Sequence, residues 1–161
     1  MLVYYSYLIK NFFIIGKIMA KIYLIGSLRN ANIPEIANKL RAVGHEVFDD
    51  WFAAGPEADD YWQKYEINKG HNYKEGLAGY AAKHVFSFDK HHLDRNEIAI
   101  LALPAGKSGH LELGYFIGKG KPGYILFDTN GVMPDRWDVM YQFATDVFFD
   151  LDSLIKEIDG K

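Results

Sequence analysis

Short runs of hydrophobic residues alternate along the chain with stretches that have helical spacing. The run Lys21–Ile25 ends at a glycine, and apolar residues then recur every three to four positions through residues 33–43. Pro34 suits the first turn of such a helix and Gly44 its end, before a second hydrophobic run at Glu46–Phe48. This order predicts a strand, a crossover helix and a second, parallel strand.

The second half of the chain continues the same alternation. Residues 97–103 (EIAILAL) form an unbroken apolar run, which is typical of a strand buried on both faces of a sheet. A glycine-rich turn at 105–109 precedes a helix expected from about residue 110 to 118. Two further strands are expected at 123–127 and 146–149, and a closing helix at 151–158.

Residues 49–92 are polar and aromatic, with a helical pattern that begins near Ala58 and restarts near Tyr73, so we expect a helical insertion over one edge of the sheet. The whole pattern predicts a single doubly wound α/β sandwich, flavodoxin-like or Rossmann-like, with about five parallel strands. A chain of 161 residues is long enough for one such domain with one core.

Composition narrows the function classes. The chain carries 18 Lys and Arg against 21 Asp and Glu, a net charge of −3, and we therefore expect no nucleic-acid partner. It has no cysteine, which excludes disulfides, cysteine-bound zinc and a thiol nucleophile and is compatible with a reducing, cytoplasmic location. The apolar start, residues 1–18, is interrupted by polar positions, so no membrane span is expected; we interpret it as an extension ahead of a domain at 19–161.

Ligands of doubly wound folds bind at the carboxyl ends of the strands, which directs attention to the segments that follow them. Gly26, Ser27 and Arg29 follow the first strand and offer close backbone approach, a hydroxyl and a guanidinium suited to a phosphate or a sugar hydroxyl. The alternative is a turn with a capping serine and a solvated arginine. Trp51 follows the second strand, where its ring can stack on a nucleobase or simply pack in the core.

The turn after the central strand carries the strongest candidate. We expect Glu112 in the first turn of the next helix, where the positive end of the helix would stabilise an ionised carboxylate fit for nucleophilic attack on a sugar. A surface glutamate that complements the helix dipole is the alternative. Ser108, Gly109 and His110 precede it as candidate substrate-binding residues, because glycine is costly in a helix unless the backbone passes close to something.

Asp89 lies ahead of the central strand and can supply a second carboxyl group for an acid and base pair, although a helix cap is the commoner role of such a residue. His84, His91, His92 and His110 show no metal-ligand spacing, and the dinucleotide fingerprint is missing. We therefore expect neither a metal nor a cofactor.

Three segments together resemble the nucleoside 2-deoxyribosyltransferases and the related 2′-deoxynucleoside 5′-monophosphate N-glycosidases. These are the loop Gly26-Ser27-Leu28-Arg29, the Asp89 segment, and the stretch Gly-His-Leu-Glu-Leu-Gly that holds Glu112. The resemblance runs from Lys21 to about Ile158. It implies that Glu112 is the nucleophile, that Asp89 acts as acid and base or positions the sugar, and that the substrate is a nucleoside or nucleotide. It also implies a homo-oligomer.

The resemblance further implies a mechanism in which Glu112 attacks C1′ of a 2′-deoxynucleoside and a second base resolves the deoxyribosyl ester. The loop containing Ser27 and Arg29 is closer to the phosphate-holding loop of the N-glycosidases, and Ser108 can add a phosphate donor. Base transfer is thus the first hypothesis and hydrolysis of a 5′-monophosphate the second. A non-catalytic nucleotide-sensing domain of the same fold is a third, since fold alone does not fix function.

Overall fold

The computed structural model describes residues 19–160, so the extension predicted for residues 1–18 lies outside the described residues. Within this range the strands are β1 (Lys21–Ile25), β2 (Glu46–Phe48), β3 (Ile98–Ala102), β4 (Gly123–Leu126) and β5 (Asp146–Phe148). The α-helices are α1 (Ile33–Ala42), α2 (Ala58–Asn68), α3 (Tyr73–Ala78), α4 (Tyr80–Arg95), α5 (Lys107–Gly118) and α6 (Leu151–Asp159). Short 3-10 helices occupy Asp50–Ala54 and Val139–Phe143.

The five strands form one parallel sheet in the order β2-β1-β3-β4-β5. Strand β3 lies at the centre, and its residues Ala99 to Ala102 are fully buried, as expected of a strand covered on both faces. The strand order reverses between β1 and β3, which is the arrangement of a flavodoxin-like, doubly wound sheet. The predicted α/β fold is confirmed.

The alternation of side chains along the strands divides the core into two layers. Ile22 and Leu24 of β1 pack with α1 and α6, whereas Tyr23 and Ile25 point to the opposite side, where α4 and α5 supply buried residues. We call the side packed by α1 and α6 the closed face and the side packed by α4 and α5 the groove face. On the closed face, Leu40 of α1 is among the side chains that are fully buried.

The start of helix α5 differs from the sequence prediction. Helix α5 begins at Lys107 rather than near residue 110. Gly109 falls in its first turn, and a Cβ there would lie only 3.1 Å from Leu101 and 3.2 Å from Ile25. The glycine therefore allows the helix to start directly against the strands, and its role is close packing rather than a turn.

The region expected as an insertion is also more closely integrated than predicted. Helix α4 is 16 residues long, and its Leu93 is buried in the core of the groove face. The added elements are α2 and α3, which contact each other, while α3 also contacts α4. Asp89 consequently lies in the interior of a helix and not at a helix cap.

Candidate active site

A groove of about 350 Å³ lies between α4 and α5 on the groove face. Each helix contributes residues at the i, i+3, i+4 and i+7 positions that share one side of a helix. The residues that line the groove are Phe86, Asp89, Lys90 and Leu93 from α4 and Ser108, Leu111, Glu112 and Tyr115 from α5. The structure therefore brings three of the predicted site residues, Asp89, Ser108 and Glu112, to one cavity whose volume suits a small molecule.

The two carboxyl groups of the groove interact electrostatically. Burial, with repulsion from Asp89 as the second cause, raises the pKa of Glu112 to about 7. Burial raises the pKa of Asp89 to about 6. At neutral pH the Glu112 carboxyl is therefore partly protonated, whereas Asp89 is mostly ionised.

The position of Glu112 corrects one expectation. Because α5 starts at Lys107, Glu112 is its sixth residue and lies in the second turn, beyond the exposed amides of the helix N-terminus. The helix dipole is strongest in the first turn, so it is not what governs this carboxyl group. Burial and the neighbouring Asp89 govern it instead, and they favour the protonated form rather than the ionised form that the sequence predicted.

Tyr23 is a neighbour of the two carboxyls that sequence reasoning missed. It lies in β1, is 1 % exposed and packs against the ring of Phe48 at 5.1 Å between centroids. Burial, followed by the negative charges of Glu112 and Asp89, raises the pKa of Tyr23 well above its ordinary value. Its hydroxyl is thus a neutral group within electrostatic range of the two carboxyls. The signal in the sequence was a tyrosine at an inward position of a buried strand, where a hydroxyl needs a polar environment.

His110 lies on α5, but its side chain contacts residues outside the groove. Its Nδ1 is 2.8 Å from the carbonyl oxygen of Gly106, and its Nε2 is 3.0 Å from the hydroxyl of Tyr141. Since a carbonyl oxygen only accepts, Nδ1 donates to Gly106. The two rings also stack, with centroids 5.8 Å apart. His110 therefore joins the start of α5 to the 3-10 helix Val139–Phe143, and it does not line the groove.

The loop after β1 is closed by its own hydrogen bonds. The Ser27 hydroxyl oxygen accepts from the Arg29 backbone amide at 3.1 Å, and the Arg29 guanidinium donates to Asp60 of α2 at 3.0 Å. A Cβ on Gly26 would overlap the side chain of Ile33. These residues lie outside the walls of the groove. The glycine serves packing against α1, and the arginine ties the loop to α2.

Trp51 also has a structural partner. Its indole Nε1 donates to the carbonyl oxygen of Leu24 at 2.8 Å, and its ring packs against both core layers. A Cβ on Gly26 would lie 3.4 Å from the Trp51 ring, so the indole covers the end of β1. The ring is partly buried between strand and loop and does not line the groove between α4 and α5.

A second cavity of about 370 Å³ lies beside β2 and contains none of the predicted site residues. His92, which borders it, stacks on Phe48 with centroids 3.8 Å apart, and burial lowers its pKa. Across residues 19–160 no group of three or more His, Asp or Glu side chains is arranged to hold a metal ion. In the same range, no helix has the length and apolar character needed to cross a membrane.

The chain matches no protein-family model and no curated protein. In a comparison of folds it is similar to the structure of a 2-deoxyribosyltransferase from the psychrotolerant bacterium Bacillus psychrosaccharolyticus. The TM-score is 0.55, the sequences are 19 % identical, and the match covers 84 % of this chain and 90 % of that one. The two proteins therefore share the flavodoxin-like fold over most of their length.

Proposed function

We propose that the protein is a nucleoside 2-deoxyribosyltransferase that moves deoxyribose from one nucleobase to another. The observation that carries the proposal is the pair formed by Asp89 and Glu112, which two different helices bring to one groove with raised pKa values. Paired carboxyls, one ionised and one protonated, are the groups that cleavage of a glycosidic bond with retention requires. The fold shared with a 2-deoxyribosyltransferase supports the same choice.

In the proposed first step, an ionised oxygen of Glu112 forms a bond to C1′ of a 2′-deoxynucleoside. The C1′–N bond breaks, and its electron pair leaves with the nucleobase, which takes up a proton. In the second step a nitrogen of another base attacks C1′ and displaces Glu112 as a carboxylate. Protonated Asp89 can supply the proton of the first step and recover it in the second, or it can bind the base or the sugar hydroxyls.

The proposed cycle requires that the proton held in the free groove move from Glu112 to Asp89. Because burial and repulsion from Asp89 raise the pKa of Glu112, the free groove keeps part of a proton near neutral pH, mainly on Glu112. A substrate that needs an ionised nucleophile selects the arrangement with the proton on Asp89. Tyr23 remains neutral throughout, so it adds no further negative charge beside the two carboxyls.

Hydrolysis of a 2′-deoxynucleoside 5′-monophosphate is the second candidate, and Ser108 favours it. This residue lies in the first turn of α5 and lines the groove, so its hydroxyl and the adjacent backbone amides can bind a phosphate. Water would then take the place of the acceptor base. Arg29 lies outside the walls of the groove and is paired with Asp60, so Ser108 is the residue on which this alternative rests.

We also propose that the protein acts as a homo-oligomer. Phe86 and Leu111 line the groove and are 65 % and 76 % exposed. Large apolar side chains at the mouth of a cavity are typical of surfaces that a partner covers. A second copy placed over this rim would exclude water from the reacting carbon. Light scattering of the purified protein tests this, and a monomer at all concentrations would contradict it.

The experiment that tests the activity is incubation of the full chain with deoxyinosine, and separately with each deoxynucleoside 5′-monophosphate, with and without adenine. Chromatography follows release and exchange of bases. We expect deoxyadenosine to form only when adenine is present, and mass spectrometry to detect the deoxyribosyl adduct without it. Glu112→Gln should lower the rate by about 10³-fold or more.

Asp152→Asn, on α6 at the closed face, is the matched control and should retain the rate. Free base from the monophosphates alone, without exchange, would replace transfer by hydrolysis. Binding of nucleotides with no turnover in any mixture would contradict both enzymatic proposals and favour a nucleotide-sensing domain.

A further inference from the structure

Asp94, in the last turn of α4, is the meeting point of three side chains that the proposed reaction does not use directly. Its carboxylate accepts hydrogen bonds from Lys90 at 2.6 Å, from Lys119 at 2.6 Å and from the hydroxyl of Tyr115 at 2.7 Å. The hydrogen bonds from Lys119, Lys90 and Tyr115 hold the pKa of Asp94 well below its usual range. This carboxylate is therefore charged throughout the neutral pH range.

The three donors come from both walls of the groove. Lys90 belongs to α4, Tyr115 belongs to α5, and Lys119 follows the end of α5. Both ammonium groups also lie over the Tyr115 ring, each 5.3 Å from its centroid. Lys121 adds a further tie, because its ammonium group donates to the backbone carbonyl of Asp94 at 2.6 Å. The end of α4 is thus fastened to α5 and to the turn after it.

The fastening lies close to the two carboxyls of the groove. Asp89 is five residues before Asp94 on α4, and Glu112 is three residues before Tyr115 on α5. At 1.5 Å of rise per residue these separations are roughly 7.5 Å and 4.5 Å along the helix axes. Helices are stiff over one to two turns, so the distance between α4 and α5 at Asp94 largely sets the distance between Asp89 and Glu112.

We propose that Asp94 is a positioning residue, which clasps α4 to α5 at one end of the groove and so fixes the separation of Asp89 and Glu112. The inference rests on the proposed function for its importance to catalysis, but the geometric statement stands apart from it. Exposed ion pairs contribute little to stability one at a time, and Asp94 is partly exposed. Its effect is therefore expected on the geometry of the groove more than on the stability of the fold.

The test is the titration of Glu112, followed by NMR of its carboxyl carbon and assigned with Glu112→Gln. The charged and titratable groups around Glu112 are Asp89 and Lys90 from α4, Tyr115 from its own helix and Tyr23 from β1. If Asp94→Asn lets the helices separate, water enters, repulsion from Asp89 weakens, and the pKa of Glu112 falls by about one unit or more from its value near 7. Asp94→Glu keeps the negative charge, so the pKa of Glu112 in this variant should lie closer to its wild-type value than in Asp94→Asn.

Lys119→Gln distinguishes positioning from a direct effect of charge. Loss of a positive charge by itself would raise the pKa of Glu112, whereas loss of a clasp donor lowers it. We expect a decrease in both Asp94→Asn and Lys119→Gln, smaller in the second because Lys90 and Tyr115 stay bound to Asp94. Shifts of opposite sign in the two variants, or no shift in either, would overturn the proposal.

Glu35→Gln is the matched control, because it removes an exposed ion pair with Lys39 on the closed face. It should leave the titration of Glu112 unchanged. Turnover gives the second measurement, in which Asp94→Asn should lower kcat about tenfold with a smaller change in KM. If the wild-type protein shows no turnover, the proposed function fails while the titration still decides the role of Asp94. If Asp94→Asn does not fold, Lys119→Gln decides it.

Discussion

The two faces of the sheet are built from the same strands but are closed to different degrees. On the closed face, Ile22 and Leu24 meet the fully buried Leu40 and Leu154 of α1 and α6, and the layer is apolar. On the groove face, α4 and α5 leave a cavity between them and carry two carboxyls into it. Dense packing stabilises a fold, whereas a site for chemistry needs space and charge. The groove face is therefore less densely packed than the closed face at the place where the proposed reaction occurs.

The largest difference between the faces should appear in activity. Asp89→Asn removes the partner of Glu112 from the groove, and we expect the rate of base exchange to fall by about 10²-fold or more if Asp89 transfers a proton. The same change should lower the pKa of Glu112, because the repulsion from Asp89 is lost. The pH dependence of exchange measures both effects.

Wild-type protein should give a bell-shaped pH profile with its limits set by the coupled pair, near 6 and 7. In Asp89→Asn the basic limit should disappear, because the asparagine has no proton to lose and only the ionisation of Glu112 is left to shape the profile. A profile that is unchanged by the substitution would show that the two carboxyls are not coupled, and it would remove the main argument for a shared site.

Truncation of an apolar side chain should lower stability more on the closed face than on the groove face. Leu40→Ala empties a fully buried position on the closed face, and we expect it to lower the free energy of unfolding by about 2 to 5 kcal/mol. Leu111→Ala at the rim of the groove changes a side chain that is 76 % exposed, and we expect less than about 0.5 kcal/mol. Urea denaturation of the two variants gives the comparison, and similar losses would contradict the difference between the faces.

An effect smaller than that of Leu40→Ala concerns the energetic cost of burying the Glu112 carboxyl. The pKa of Glu112 rises from an ordinary value of 4.5 to about 7 on folding, so the folded protein binds its proton more tightly than the unfolded chain does. The stability associated with that proton is present below the ordinary pKa and is lost as the pH rises through about 7.

The glutamine of the Glu112→Gln variant cannot ionise, so this variant does not lose stability as the pH rises. We expect the variant to be more stable than the wild-type protein by about 1 to 3 kcal/mol at about pH 8, and the difference to disappear near pH 4. Denaturation curves at the two pH values measure it. A variant that loses activity and gains no stability at the higher pH would mean that the Glu112 carboxyl is well hydrated in the fold.

Much of the architecture was predictable because strands and helices differ in the periodicity of their apolar residues. The runs at Lys21–Ile25 and Ile98–Ala102 are strands within one or two residues of the predicted bounds. The start of α5 was harder to predict from the sequence, since a glycine such as Gly109 is equally compatible with a turn and with a closely packed helix. That difference of one turn decides whether Glu112 is governed by the helix dipole or by burial.

The candidate site was predictable in its residue types and less so in their partners. Glu112, Asp89 and Ser108 share a cavity, whereas Arg29 and His110 are each engaged by a residue about 31 positions away. No periodicity along the chain indicates that Asp60 or Tyr141 would be there. Tyr23 was missed for a related reason, since a tyrosine in a buried strand is by pattern a core residue.

The sequence by itself determined the parallel sheet, the crossover helices and the positions along the chain at which polar groups can emerge, because these follow from local periodicity and from the handedness of connections. Only the tertiary structure decided which of those groups face one another. The proximity of Glu112 to Asp89, and of both to Tyr23, arises where α4, α5 and β1 pack together. Burial and electrostatic coupling depend on distances through space, and those distances exist only after the chain has folded.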